Sequence, residues 1–211
     1  MQDVLTYFSA NDAEFLRLLL EHIEVSTLAL AVASVIAVPL GILCSSHPVI
    51  ERISVGTPSI LRVIPSLAIL IFLVPLLGTG TLPALVALSV LAIPPTLVNT
   101  SLAFRELPED VLEAARGMGM GPARLFWTIK IPLAFPAAFA GFRTAATEVV
   151  ASATLAAYIG GGGLGEIIFT GMGLMRTDLL LVGGVSVAVL SLAVSLLLSG
   201  IDRRVRRYER A

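Results

Sequence analysis

Few side chains in this sequence are equipped for chemistry. Two histidines, His22 and His47, are too sparse for most His or Cys metal sites, and a single cysteine, Cys44, excludes an internal disulfide. No nucleophile stands with a base inside an apolar segment, so neither a catalytic residue nor a metal ligand is expected. Gly160-Gly161-Gly162-Gly163-Leu164-Gly165 satisfies a G-x-G-x-x-G pattern. It follows a long apolar segment rather than a strand, so it is read as a tight turn and not as a nucleotide cradle. What remains is charge in unusual places. Arg143 and Glu148 interrupt an apolar segment, where ionised groups are costly and normally face a bundle interior or a wet cavity. Five residues apart, they do not share one face of a regular helix, whereas Arg143 with Thr147 and Thr144 with Glu148 do. The second place is Glu113-Ala114-Ala115-Arg116-Gly117-Met118-Gly119, with Ile129 ten residues beyond Gly119 and then Pro132. A water-facing loop of helical character in an apolar chain is suited to touching another protein.

The elements that carry these residues follow from composition. The chain has 211 residues, 56% of them hydrophobic and 14% charged, and a mean hydropathy of +0.94. Soluble domains are typically about a quarter charged. This is an integral membrane protein, all-α and polytopic. The N-terminus carries Asp3 rather than a basic region ahead of its first long apolar run, so that run is expected to remain as an anchor.

Crossing a hydrocarbon core of about 30 Å takes roughly 20 apolar helical residues. Residues 25–44 supply an uncharged run of that length, with Pro39-Leu40-Gly41 as a tolerated irregularity. Residues 63–104 carry no charge and break strongly only at Gly78-Thr79-Gly80-Thr81-Leu82-Pro83, which predicts a hairpin of two spans. Pro94 and Pro95 sit inside the second of these and must kink it, beside a wet cavity or a helix interface, because two consecutive residues lack an amide hydrogen. Residues 133–158 and 179–201 give a fourth and a fifth span.

Lys and Arg are retained on the cytoplasmic side of membrane proteins. Arg52, Arg105, Arg116, Arg124, Lys130, Arg203, Arg204, Arg206, Arg207 and Arg210 flank the spans on one side, against Arg17 and Arg176 on the other. The expected topology has the N-terminus outside and the C-terminus inside a bacterial cytoplasmic (inner) membrane. Residues 1–22 are acidic and place Phe15, Leu18, Leu19 and His22 on one helical face. They are read as an outer amphipathic helix, or else as a helical extension of the first span. Residues 203–211 form a basic cytoplasmic tail whose charge positive-inside anchoring explains, although contact with anionic lipid is open to it.

On this topology the charged loop, residues 105–132, faces the cytoplasm. Pro108, Glu109 and Asp110 suit a helix start, since proline fits the first turn and carboxylates favour the positive end of the helix dipole. Val111, Leu112 and Ala115 form a small apolar stripe. Gly117, Gly119 and Gly121-Pro122 end that helix, and a second short one carries Leu125, Phe126, Trp127, Ile129 and Ile131 until Pro132 closes it.

Glu-Ala-Ala, three residues, Gly, nine residues, Ile, one residue, an aliphatic and Pro resembles the cytoplasmic loop of ABC importer permeases, with Ile131 where that pattern has leucine. Residues 21–202 resemble the permeases of glycine betaine, carnitine, choline and proline importers. The segments Ile64-Pro65-Ser66-Leu67-Ala68, Pro75-Leu76-Leu77-Gly78-Thr79-Gly80-Thr81-Leu82-Pro83-Ala84 and Ala153-Thr154-Leu155-Ala156-Ala157-Tyr158-Ile159-Gly160 carry that likeness. The resemblance implies a type I ABC importer permease fold with its transmembrane domain over residues 23–202. It implies that Glu113, Ala114, Ala115, Gly119, Ile129 and Pro132 belong to coupling helices that fit a groove in a separate ATPase. ATP and magnesium would bind that partner, and no cofactor is expected in this chain. A second permease subunit, identical or not, an extracytoplasmic substrate-binding protein and membrane lipids complete the expected partners; no nucleic acid is among them.

Candidate pathway residues are Glu148, Arg143, Pro94, Pro95 and Tyr158, although inter-helix packing explains Arg143 and Glu148 equally simply. Quaternary ammonium ligands are usually held by aromatic cages, and here only Tyr158 stands near the outer mouth. Cargo selection is therefore expected to lie mainly in the binding protein. A methionine-type importer and an ion-gradient transporter are the alternatives.

Overall fold

The computed structural model describes residues 11–46 and 65–206. Expectations that fall on residues 1–10, His47, Arg52, Ile64, Arg207 or Arg210 lie outside the described residues. Among the described residues four helices are long and apolar enough to cross a membrane: α1 (Asp12–Ser45), α3 (Thr81–Arg105), α6 (Ile131–Ala156) with its N-terminal extension, and α8 (Thr177–Arg206). α2 (Ser66–Leu77) is the shorter apolar helix of the expected hairpin, with 12 residues and so a rise of about 18 Å. Three short α-helices, α4 (Glu109–Gly117), α5 (Pro122–Leu125) and α7 (Gly165–Gly173), and a 3-10 turn at Ala157–Ile159 complete the order among the described residues.

α1 is one unbroken helix of 34 residues. Of the two forms open to residues before the first span, those from Asp12 onward take the helical extension. Arg17 pairs with Glu21 at 2.9 Å one turn later, near the N-terminal end of α1. His22 is buried at 1% exposure, and its Nε2–H donates to the Val150 carbonyl of α6 at 2.9 Å. That bond fixes the tautomer and gives this histidine a packing role.

α3 is the centre of the bundle, with α1 and α6 packed along it, α2 against it, and α8 resting on α6 and α7. Small side chains make this possible, because without a hydrophobic drive between helices in lipid, close approach supplies the attraction. Ala29, Ala33, Ala92 and Ala145 are fully or almost fully buried where α1, α3 and α6 meet. A second apolar cluster joins Ala103 and Leu107 to Leu112, Ala115, Leu125 and Ala134 at the end of the bundle that carries α4 and α5.

The glycine run after α6 is a close-packed turn. Gly161 N–H bonds to the Ala156 carbonyl at 2.9 Å, and Gly163 N–H donates to the Glu21 carboxylate of α1 at 3.3 Å. Gly80 N–H meets the Ile159 carbonyl at 2.8 Å, which joins this turn to the α2–α3 reversal. Pro83 falls within the first turns of α3, where its missing amide hydrogen removes nothing.

One expectation is corrected. Pro132 does not close the second loop helix: α5 continues through a wide π turn at Phe126–Lys130 straight into α6. Ile131 N–H reaches back five residues to the Phe126 carbonyl. The extra residue in that turn accommodates a proline whose ring would otherwise strike the carbonyl four residues before it. Phe126 holds the turn in place, stacked on Phe104 of α3 at 5.9 Å and edge-on to Trp127 at 5.5 Å.

Candidate functional site

α3 ends at Arg105, and the chain turns through Leu107 and Pro108 into α4. Glu109 and Asp110 occupy the first turn of α4 and Arg116 its last, the charge order that a helix dipole favours. Arg116 also reaches Glu109 at 2.7 Å, but both side chains are at least half exposed, so the pair adds little. The shape of the projection comes instead from the turn that ends α4. Met120 N–H bonds to the Ala115 carbonyl at 3.1 Å and Gly119 N–H to the Arg116 carbonyl at 2.9 Å, the paired closure of a Schellman cap. That cap requires a left-handed residue, and Gly119 supplies it with φ of +83°. Met120 then packs on the second apolar cluster with Ala115, the apolar contact that accompanies such caps.

The two faces of α4 therefore differ. Leu112 and Ala115 point inward at 4% and 2% exposure, so Ala115 lies beneath the projection rather than on its outer surface. Glu113, Ala114 and Gly119 are exposed. Two large apolar side chains join them on the outside, Met118 at 73% and Trp127 at 70% exposure. Met118 was not singled out from the sequence; a bulky apolar residue between two glycines in a charged loop is the signal that would have found it. Ile129 is half-buried against the same second cluster, and Pro132 is exposed in the first turn of α6.

The pathway candidates do not gather into one site. Arg143 turns toward α8, with a guanidinium nitrogen 3.4 Å from the Ser199 hydroxyl and 3.7 Å from the Asp202 carboxylate. It ties α6 to α8, and its partner was legible only as one more charge near the basic tail. Glu148 is half-buried and shares a face of α6 with exposed Thr144 and Ala151. Thr144 bonds back to the Ala140 carbonyl at 3.1 Å. Pro94 and Pro95 are buried inside α3. Tyr158 is 60% exposed and lies against Phe169 of α7 with ring centres 5.5 Å apart. An open cavity of about 490 Å³ lies nearby, lined by Glu21, Glu24, Leu82, Leu85 and Glu166 among others. Its carboxylates come from α1 and α7, which nothing in the sequence pattern brings together.

Residues 37–207 match the model of the family described as "Binding-protein-dependent transport system inner membrane component". The chain is 40% identical over 205 residues to the carnitine transport permease protein OpuCB of Listeria monocytogenes, covering 97% of this chain and 94% of that one. It is 36% identical, with the same coverage, to the choline transport system permease protein OpuBB of Bacillus subtilis. Among solved structures, an inward-facing MetNI methionine ABC transporter chain superposes with a TM-score of 0.76 at 22% identity, covering 90% of this chain and 95% of that one. At that identity the likeness speaks to the fold alone.

Proposed function

Because the chain belongs to the binding-protein-dependent transport system inner membrane component family, a family of multi-pass inner-membrane transport permeases, we propose that it imports small osmoprotectants, quaternary amines such as glycine betaine, choline and carnitine. The observation that carries this reading is the 40% identity, over nearly the full length of both chains, to a carnitine transport permease. The relatives named for choline and for glycine betaine, carnitine and choline, each 36% identical, support the same cargo class. The likeness to a methionine transporter does not weigh against it, since that likeness is one of fold.

In this reading the chain is half of the membrane pathway, paired with a second permease subunit, a separate ATPase and an extracytoplasmic receptor. The exposed α4 face, with Glu113, Ala114, Met118 and Gly119, docks on the ATPase, and Trp127 lies on the same projection. Glu109–Gly117 is short and amphipathic, with its apolar side spent on the chain's own core. A partner therefore meets a mixed, shaped surface, on which exposed Met118 and Trp127 stand beside the charge of Glu113. The distribution of arginine and lysine supports a cytoplasmic projection, an outer N-terminus and an inner C-terminus.

Affinity purification of the tagged permease from its native membrane is expected to recover an ATPase subunit. Absence of any ATPase, or cargo uptake that persists without it, would sink the importer reading in favour of an ion-gradient transporter. Glu148 lies on the α6 face that this chain leaves uncovered at mid-span, where a carboxylate would favour a cationic solute. Glu148→Gln is expected to lower uptake of choline more than it lowers assembly with the ATPase. Normal uptake would remove Glu148 from the pathway.

A further inference from the structure

Two of the apolar clusters among the described residues lie along successive lengths of α3. The outer cluster joins Val25, Ala29 and Ala33 of α1 to Leu88 and Ala92 of α3 and Ala145 and Val149 of α6. The inner cluster joins Ala103 and Leu107 to the loop helices through Leu112, Ala115 and Leu125. Between them α3 passes through a narrow crossing. A Cβ on Gly141 of α6 would stand 2.4 Å from the Asn99 Cβ and 2.6 Å from the Pro95 carbonyl. On α1, a Cβ on Gly41 would stand 2.8 Å from the Thr100 Cβ and 2.9 Å from the Leu97 carbonyl. Two glycines thus grip α3 within two turns of each other, each against a Cβ atom and a backbone carbonyl of that helix.

The helix is weakened at the same level. Pro94 and Pro95 remove the amide hydrogens that would serve the Val90 and Leu91 carbonyls, so two successive rungs of the helix ladder are missing. Directly afterwards, three side chains bond back onto carbonyls one turn earlier: Thr96 to Ala92 at 2.9 Å, Asn99 to Pro95 at 2.8 Å and Thr100 to Thr96 at 2.7 Å. Back-bonding of this kind bends helices, and missing rungs beside a proline are where helices change direction. Small residues at the crossing let the neighbouring helices approach α3 closely on either side of this weakened length.

We propose that α3 pivots at Pro94–Pro95 between the Gly41 and Gly141 contacts, so that the inner cluster with α4 and α5 swings as one body against the outer cluster. This deepens the importer reading and rests on it: movement imposed on the loop helices by the ATPase reaches the outer half of the pathway through a bend in α3. Pro94 and Pro95 are positioning residues, acting through the angle of α3 and not through contact with cargo.

The test uses the complete complex in membrane vesicles, with spin labels at Leu82 and Leu102. These positions are 56% and 38% exposed and lie on either side of the prolines, while the native Cys44 is buried and escapes labelling. Pulsed dipolar spectroscopy should give one Leu82–Leu102 distance without nucleotide and a different one when the complex is trapped with ATP. The Pro94→Ala/Pro95→Ala double variant should hold a single distance in both states. In that variant uptake per ATP hydrolysed should fall about tenfold, the order expected when a coupling energy is lost. An identical distance in both states of the unsubstituted helix, or an unchanged uptake-to-hydrolysis ratio in the double variant, overturns the pivot. The wild-type distances do not depend on whether the variant folds. Loss of the ATPase from the unsubstituted complex would instead strike the importer reading itself.

Discussion

Replacing Gly119 by valine is expected to reduce ATP-driven uptake by about a hundredfold while the membrane bundle stays folded, a loss within the range of typical coupling energies. Gly119 holds φ of +83° with nothing within 4 Å of the position a Cβ would take. Space is available, and conformation is the whole constraint. A β-branched residue in the left-handed region costs about 1–2 kcal/mol or more, which the chain would escape by opening the cap that closes on Ala115 and Arg116. The turn between α4 and α5 would then change direction, carrying Met118 and Trp127 away from their present surface. Gly119→Asn is the control, since asparagine tolerates left-handed backbone, and it should retain most of the uptake. The measurement is uptake beside ATPase recovery for both variants. Equal activity of valine and asparagine variants would show that the shape of this turn does not matter.

Gly141→Val should have the largest effect on folding. Its Cβ alone would overlap Asn99 and the Pro95 carbonyl, and neither is the far end of a flexible side chain. α3 and α6 would have to separate along the length where Ala92, Ala145 and Val149 are sealed together. Overpacking typically costs about 1–3 kcal/mol and occasionally more, and a contact made against backbone belongs to the costly end. The expected result is poor accumulation in the membrane and a lowered unfolding midpoint in detergent. Gly184→Ala supplies the contrast, because nothing lies within 4 Å of its added methyl group. It should be neutral or stabilising by about 0.4–1 kcal/mol through reduced unfolded-state entropy. Similar midpoints for the Gly141 and Gly184 variants would contradict the crossing described above.

These two glycines also show which features the sequence made legible. Charge-free runs mark spans because lipid tolerates little else, so α3, α6 and α8 emerge close to their expected bounds, while α1 begins at Asp12, well before the expected residue 25. Gly119 was legible too, since a glycine beyond the last turn of a charged amphipathic helix has one common use. Gly141 was not, because the reason for it lies on another helix, 42 positions earlier at Asn99. The Arg143–Asp202 pair was hidden in the same way. Pro132 misled for a local reason: the rule that proline ends helices is sound for a regular turn, and the π turn before it changes the geometry that the rule assumes. Ala115 was named both for the apolar stripe and, through the resemblance, beside Ala114; neighbouring positions on a helix lie about 100° apart, and its burial fits the stripe while Ala114 faces out.

The importer account is tested most directly in proteoliposomes containing this permease with its co-purified ATPase, supplied with the receptor protein on the outside and ATP within. Radiolabelled choline, carnitine and glycine betaine are offered in turn, with methionine as the competitor. The account predicts accumulation of at least one quaternary amine that requires both ATP and the receptor and that excess methionine leaves unchanged. Uptake driven by an ion gradient without ATP, or accumulation of methionine in place of every quaternary amine, would contradict it.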